Sequence, residues 1–144
     1  MNYIEGVIGL VYNKSTKKYL LINNKGTKNT TFPAGKKEKN ETLKQTIARE
    51  LKEEIGLSPS EYKLVKTPII HKFVYNSKKV KRNGQATKQI VYLIETSKTH
   101  LTPEDSEIEI KGWFNKKQVL EKLTFFDLKK LFLQINKYLK SKKE

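Results

Sequence analysis

One segment of 23 residues, 35–57, limits the fold of this chain more than any other part of it. It joins a glycine turn to a helix that carries three glutamates within five positions, Glu50, Glu53 and Glu54. The whole chain has 30 basic residues and only 15 acidic ones, so this cluster is unusual for its composition. Close carboxylates repel one another and destabilise the fold unless cations neutralise them. We therefore expect a helix that binds a cation, and a divalent metal ion is the simplest one.

The segment predicts a helix over residues 41–55, which Gly56 ends in a position that favours left-handed backbone. At about 100° per residue, Glu50 and Glu54 stack at the edge of the apolar stripe of this helix, with Glu53 beside them. Carboxylates at that edge face the crevice between helix and sheet, where reduced solvation strengthens binding to a hard cation. The alternative is a solvated helix face held by pairs of glutamate and lysine.

The chain of 144 residues, of which 36% are hydrophobic, fits a single domain over residues 1–144. Apolar runs at 6–12 and 19–22 predict a hairpin, and a short extended piece follows at 32–35. Asn115 is placed to cap a short helix, and residues 124–127 predict a capping box that starts a last helix. Further strands are predicted at residues 62–65, 69–75, 89–95 and 107–114, with a lysine-rich loop at 76–87. The pattern indicates an α+β fold, a mixed sheet flanked by helices.

The formal net charge of +15 attracts polyanions such as nucleotides, RNA or an acidic membrane, without choosing among them. Solvated lysines without a binding role are the alternative. The chain has no cysteine and only two histidines, which argues against a structural zinc cluster. No run approaches the ~20 apolar residues of a membrane span, and no signal peptide is evident. We expect a cytoplasmic protein that does not enter membranes.

The pattern of residues 35–57 resembles the Nudix box, in which a glycine, a glutamate and a helical Arg-Glu-aliphatic-any-Glu-Glu-any-Gly-aliphatic cluster have fixed spacing. Every fixed position is matched here, by Gly35, Glu41, Arg49, Glu50, Leu51, Glu53, Glu54, Gly56 and Leu57. The order of strands and helices also fits the family, whose fold is an α/β/α sandwich with a mixed sheet. The resemblance implies an enzyme that hydrolyses a nucleoside diphosphate linked to another moiety.

The resemblance also implies roles for the residues of the box. Glu50 and Glu54 would be the main ligands of Mg²⁺ or Mn²⁺, and the carbonyl of Gly35 would be another ligand. Glu53 would be a further ligand or the general base. Arg49 would orient Glu50 and hold Glu41, which braces the loop; a charge-assisted bond from the arginine suits this. Which glutamate deprotonates water varies within the family and stays open.

Glu107 is a second catalytic candidate, because some similar enzymes have a glutamate ahead of an aromatic-rich strand. It lies six residues before Trp113. It would bind an additional metal ion or act as the base. An exposed carboxylate at a strand end is the equal alternative.

Five residues outside the box are candidates for contact with the substrate. Lys36, Lys72 and Lys88 carry the positive charge that clamps a phosphate. His71 is placed to protonate a leaving group or contact a base, and Tyr92 to stack on an adenine. The competing interpretations are solvated lysines, a strand histidine with an ordinary hydrogen bond, and a tyrosine in the core.

Residues 32–36 and 84–89 look similar to segments of the diadenosine polyphosphate hydrolases and their RNA-pyrophosphohydrolase relatives, whereas Ala34 is also familiar from sugar-nucleotide members. We expect magnesium-dependent cleavage of dinucleoside polyphosphates, with diadenosine tetraphosphate giving ATP and AMP. The alternatives are an RNA 5′-pyrophosphohydrolase, an ADP-ribose or nucleotide-sugar pyrophosphatase, and a Nudix module that binds nucleotide or RNA without cleaving it. The protein is expected to be a monomer or a homodimer.

Overall fold

The computed structural model describes residues 3–74 and 86–142. A short 3₁₀ turn at Pro59–Glu61 follows the first helix. The other elements of the described residues are, in chain order, β1 (Ile4–Asn13), β2 (Lys18–Asn24), β3 (Thr30–Thr31), β4 (Ala34–Lys36), α1 (Leu43–Ile55), β5 (Lys63–Val74), β6 (Ala86–Thr96), β7 (Ile108–Phe114), α2 (Lys116–Lys122) and α3 (Phe126–Lys142).

The strands form one mixed sheet, as the sequence predicted. Its main order is β3-β2-β1-β6-β5, while β4 pairs with β1 and β7 pairs with β2. Strands β1 and β6 are parallel and stay in register from Ile4 opposite Thr87 to Asn13 opposite Thr96. The other pairings are antiparallel. Strand β1 is buried on both faces from residue 6 to 11, which explains its unbroken apolar sequence.

Helices cover both faces of the sheet, so the predicted sandwich is confirmed. On one face, α1 packs its apolar stripe of Ile47, Leu51 and Ile55 into a core cluster. On the other face, α2 and α3 build a second cluster around Val119 and Phe132. No helix in residues 3–74 and 86–142 combines the length and hydropathy that a membrane span requires.

The ends of α1 and α2 follow from local sequence. Helix α1 begins at Leu43 rather than at residue 41, because Thr42 is its cap and exchanges hydrogen bonds with Gln45. Gly56 ends the helix with φ of 69°, the left-handed conformation that the sequence predicted. Asn115 caps α2, also as predicted.

The predicted capping box of α3 is wrong, because tertiary contacts use its side chains. The hydroxyl of Thr124 accepts the backbone N–H of Thr30 at 2.7 Å. The carboxylate of Asp127 lies 2.9 Å from the ring of His71 instead of reaching back along the helix. The helix begins at Phe126, and these two contacts tie its start to the sheet.

The two strands predicted at 62–65 and 69–75 are one strand, β5, with a shift of register between Lys66 and Ile70. Pro68 lies in this break and has no N–H to donate to a ladder. The hydroxyl of Thr67 compensates by accepting the N–H of Ile69 and donating to a carbonyl of β6. Residue 75 of the predicted strand and most of the predicted lysine-rich loop lie outside the described residues, whereas residues 86 and 87 of that loop belong to β6.

Candidate active site

The site lies where β4 passes the middle of α1. Val7 of β1 pairs with Gly35, which holds β4 against the centre of the sheet. The buried carboxyl group of Glu50 packs against Gly35 so closely that a Cβ at residue 35 would overlap it. The glycine of the box is therefore required by the close approach of the helix carboxylate to the strand backbone.

Arg49 connects the loop before α1 to the carboxylates on the helix. Its Nε lies 2.6 Å from Oε2 of Glu41 and its Nη1 lies 2.7 Å from Oε1 of Glu50. Its Nη2 donates to the carbonyl of Lys36 at 2.9 Å, and Nη1 lies 3.5 Å from the carboxylate of Glu53. One planar guanidinium thus fixes the strand end, the loop and the glutamate at the same time. Its hydrogen bond to Glu41 raises the pKa of the arginine.

Glu41 braces the loop, and both of its carboxylate oxygens accept hydrogen bonds. Besides Arg49, its carboxylate accepts the hydroxyl of Thr46 and the backbone N–H of Glu38, each at 2.9 Å. The hydrogen bond from Arg49, followed by that from Glu38, lowers the pKa of Glu41 to about 2. This carboxylate is charged throughout the neutral range and acts by positioning Arg49.

Glu50 and Glu54 form a poorly solvated carboxylate pair. Glu54 accepts the backbone N–H of Ala34 at 2.8 Å. Burial, followed by the charge of Glu50, raises the pKa of Glu54 to about 8, and the charge of Asp105 contributes. Burial also raises the pKa of Glu50, although the charge of Arg49 opposes this. The two carboxylates repel each other when both are charged, and a nearby cation would relieve this repulsion.

Within residues 3–74 and 86–142, no three acidic or histidine side chains already converge as metal ligands. The carboxylates do not converge because each accepts a different hydrogen bond. Glu50 accepts one from Arg49, and Glu54 accepts one from the backbone N–H of Ala34. The chemistry of the donors nevertheless fits a hard divalent cation, because they are carboxylate oxygens with raised pKa values beside a glycine backbone. Glu50 and Glu54 would hold the ion, with Glu53 next to them on the more exposed side of the helix.

Glu107 lies in the loop before β7, with its carboxylate beside Gly26. Its side chain is exposed, its N–H donates to Asp105, and its carbonyl accepts the N–H of Lys25. The acidic residue of this loop that acts on the pKa of Glu54 is Asp105. The carbonyl of Glu53 accepts the N–H groups of residues 104 and 105, which holds the loop on the helix. Sequence analysis missed Asp105, and the only signal for it was an acidic pair in a basic chain.

The three predicted phosphate-binding lysines are separated in the structure. Lys36 lies at the end of β4 and lines a cavity of 230 Å³ beside Gly35. Lys72 and Lys88 are opposite each other on β5 and β6, with Nζ of Lys72 5.5 Å from the ring centre of Tyr3. Because side chains alternate along a strand, Lys88 faces away from its neighbours that line the cavity. Only Lys36 is close to the box.

His71 and Tyr92 are both buried. The ring of His71 lies 2.9 Å from Oε1 of Gln89 and 2.9 Å from the carboxylate of Asp127. His71 is not among the residues that line the cavity. It positions Gln89, which does line the cavity. Tyr92 is 4% exposed and packs in the core beneath α1, so its ring is not open to stack on an adenine.

The NUDIX domain family profile matches residues 2–134. The chain therefore belongs to the Nudix family of hydrolases, enzymes that act on pyrophosphate bonds and generally use divalent metal ions. No curated protein matches the chain at a significant level.

Solved structures show the same fold at low sequence identity. The dihydroneopterin triphosphate pyrophosphohydrolase of E. coli superposes with a TM-score of 0.75 at 15% identity, covering 93% of this chain and 97% of its own. The NUDIX domain of NrtR from Shewanella oneidensis, solved with ADP ribose, gives 0.75 at 16% identity, covering 96% and 90%. The Ap4A hydrolase of C. elegans gives 0.71 at 16% identity, covering 96% and 99%. These identities establish the shared fold alone.

Proposed function

We propose that this protein is a magnesium-dependent pyrophosphohydrolase whose first substrate class is the dinucleoside polyphosphates. The observation that carries the proposal is the carboxylate pair of Glu50 and Glu54 beside Gly35, with Arg49 bound to Glu50. A bound divalent ion supplies positive charge that offsets the charge of a diphosphate and acidifies water. The segments at 32–36 and 84–89, which look similar to those of diadenosine polyphosphate hydrolases, favour diadenosine tetraphosphate within this class.

The residues of the chain have distinct tasks in the proposed reaction. Glu50 and Glu54 hold the ion, while Arg49 keeps the carboxylate of Glu50 in place. Glu53 lies beside them with a side chain that is 45% exposed, so it can accept the proton of the attacking water. The water oxygen bonds to one phosphorus, the bond from that phosphorus to the bridging oxygen breaks, and the departing phosphate carries the electron pair. Gly35 has no Cβ and so lets the carboxylate of Glu50 lie against the strand backbone.

The test is product analysis with Mg²⁺ and a panel of diadenosine polyphosphates, nucleoside triphosphates, ADP-ribose and RNA with a 5′ triphosphate. ATP plus AMP from diadenosine tetraphosphate as the fastest reaction, abolished in Glu54→Gln, supports the proposal. If ADP-ribose or RNA is cleaved fastest instead, that compound replaces the dinucleoside polyphosphates as the proposed substrate. Absence of turnover on the whole panel, with nucleotide binding retained, would identify a binding module instead.

Removal of pyrophosphate from the RNA 5′ end is the second candidate, and one observation favours it. A cavity of 920 Å³ lies between the β1–β2 hairpin and the helices α2 and α3. It has a single acidic lining residue, Glu95, and five basic ones, Lys17, Lys116, Lys117, Lys137 and Lys140. Such a surface suits an RNA backbone, and activity on RNA that falls steeply with salt would favour this candidate.

A further inference from the structure

Helix α3 joins the two ends of the molecule that can bind anions. At its start, Asp127 contacts the ring of His71, whose other partner, Gln89, lines the cavity of 230 Å³ next to the box. Near its end, Lys137 and Lys140 line the cavity of 920 Å³ with five lysines, which we call the basic cavity. At 1.5 Å per residue, these two ends of the helix lie about 20 Å apart.

The side of α3 that faces away from the core combines apolar and basic side chains. Phe126 and Leu133 are 74% and 54% exposed. Three exposed lysines continue their stripe at helical spacing, so that its members are Phe126, Lys130, Leu133, Lys137 and Lys140. The Nζ of Lys130 lies 5.9 Å from the ring centre of Phe126. An exposed ring among cations is the combination to which single-stranded nucleic acids bind.

The basic cavity offers the same combination at the other end of the helix. Tyr12 lines it and is partly exposed, and its ring centre lies 5.1 Å from that of Tyr19. Tyr19 is buried behind it and donates to the side chain of Asn136 in α3 at 3.3 Å. The floor of the cavity is therefore an aromatic surface that the helix holds in place.

The cations of the basic cavity lie where the fold does not favour them. Lys116 and Lys117 occupy the first turn of α2, which has no acidic residue, although the helix dipole disfavours cations there. The acidic lining residue, Glu95, lies 3.8 Å from Lys14 and so has a cation of its own. Close like charges destabilise a fold unless counter-charges offset them. An anionic ligand in the cavity would supply those counter-charges.

The length of this surface selects a chain over a single nucleotide. Stacked nucleotides advance about 3.4 Å each along one strand, so about 20 Å corresponds to roughly six nucleotides. An acidic membrane fits less well, because the apolar face of α3 that would have to enter it is buried in the core. The observations therefore favour a single-stranded polyanion with bases that can stack.

We propose that single-stranded RNA binds along α3, from the basic cavity to the start of the helix beside the box. The proposal deepens the second candidate function and rests on it, since the 5′ end of such a strand would be the group presented to Glu50 and Glu54. The lysines contact phosphates, while Tyr12 and Phe126 stack on bases at the two ends of the path. Contacts of this kind do not read sequence, so affinity should depend on length and salt.

The test measures the binding of oligouridylates of 2 to 12 nucleotides by fluorescence anisotropy. Their 5′ ends are hydroxyl groups, so binding is observed without turnover. Affinity should rise with length up to about six to eight nucleotides and then level off. If Lys130 and the five lysines of the basic cavity contact phosphates, the logarithm of the binding constant should fall with the logarithm of salt concentration with a slope of about −4.

Lys137→Ala/Lys140→Ala removes two of these contacts and should reduce the slope to about −3. The matched control is Lys44→Ala/Lys52→Ala, which removes two exposed lysines from α1 on the opposite face of the sheet. The control should keep the slope and affinity of the wild type. Equal losses in the two double variants would overturn the path, because affinity would then follow net charge alone.

Phe126→Ala removes the stacking surface near the box and should weaken the binding of the longest RNA by about tenfold. Phe126→Tyr keeps the ring and should stay within about threefold of the wild type. Unchanged binding in Phe126→Ala, or equal affinity for 2 and 12 nucleotides, would contradict the proposal. Tighter binding to vesicles rich in phosphatidylserine than to RNA would replace the strand with a membrane surface.

The outcome is separable from that of the proposed function. Failure of the proposed function would be seen as no turnover on the substrate panel, with binding that still grows with RNA length. Failure of the RNA path would be seen as turnover on the panel together with binding that ignores length.

Discussion

In the absence of divalent metal, the stability of this protein should fall as the pH rises, and Glu54 should cause most of that fall. The folded state raises the pKa of Glu54 from 4.5 to about 8, so the folded protein binds a proton that the unfolded chain releases. A raised carboxyl pKa contributes stability below the unfolded value, which is lost as the pH rises through the folded value. The loss is about 1.4 kcal/mol per pH unit between these values, or roughly 3 kcal/mol by pH 7.

Glu54→Gln provides the comparison, because the glutamine Oε1 can still accept the N–H of Ala34 while the ionisable group is gone. Urea unfolding in EDTA, followed by the fluorescence of the single tryptophan, Trp113, measures the free energy of unfolding from pH 5.5 to 7.5. Over this range the wild type should lose about 2–3 kcal/mol more than the variant. Glu121→Gln, which changes an exposed residue of α2, should follow the wild type.

Added Mg²⁺ should reverse the effect, because an ion bound only to the folded state stabilises it by mass action. At pH 7.5 the wild type should gain stability with Mg²⁺ concentration and Glu54→Gln should gain much less. Parallel pH curves of the wild type and Glu54→Gln in EDTA would refute the assignment of Glu54 as a strained carboxylate of the site.

Three further substitutions test the remaining parts of the site. Gly35→Ala should lower kcat/KM by about 100-fold, because the added Cβ overlaps the carboxyl of Glu50; activity within threefold of the wild type would contradict this. Arg49→Lys keeps the charge, but a lysine cannot contact Glu41 and Glu50 in one plane. We expect kcat to fall about tenfold or more and the unfolding temperature to decrease. An unchanged kcat would show that Arg49 does not act in the site. Glu107→Gln should leave the pH profile of kcat unchanged, because this carboxylate is exposed and lies beside Gly26. A slower rate across that profile would indicate that Glu107 acts as a base.

The box could be predicted from sequence because one loop and one helix position all of its residues. Arg49 and Glu50 are neighbours on one helix and Glu41 lies just before it, so the bonds of Arg49 to both glutamates join residues close in sequence. The cavity beside Gly35 could not be predicted in this way. Thr87 and Gln89 sit on a strand more than fifty residues from Gly35, and their position beside it follows from the parallel pairing of β1 with β6.

The same contrast applies to single residues. His71 is held by Asp127, 56 positions away, through the docking of α3 on the sheet. Asp105 approaches Glu54 because its loop hydrogen-bonds a helix carbonyl, and no periodicity in the sequence records such a contact. Tyr92 was a candidate for stacking because it is aromatic, yet its position on β6 turns it under α1. Tertiary packing creates all three of these contacts, whereas local spacing encodes the contacts within the box.

Lysines on the outer strand β5 give the basic charge of the chain a role that is separate from attracting polyanions. It is the last strand of the sheet in the described residues, and its exposed positions include Lys63, Lys66 and Lys72. Lysines along an outer strand disfavour the addition of a strand from another molecule. Part of the net charge of +15 therefore keeps the open border of the sheet from templating aggregation, and the total charge overstates the surface available to polyanions.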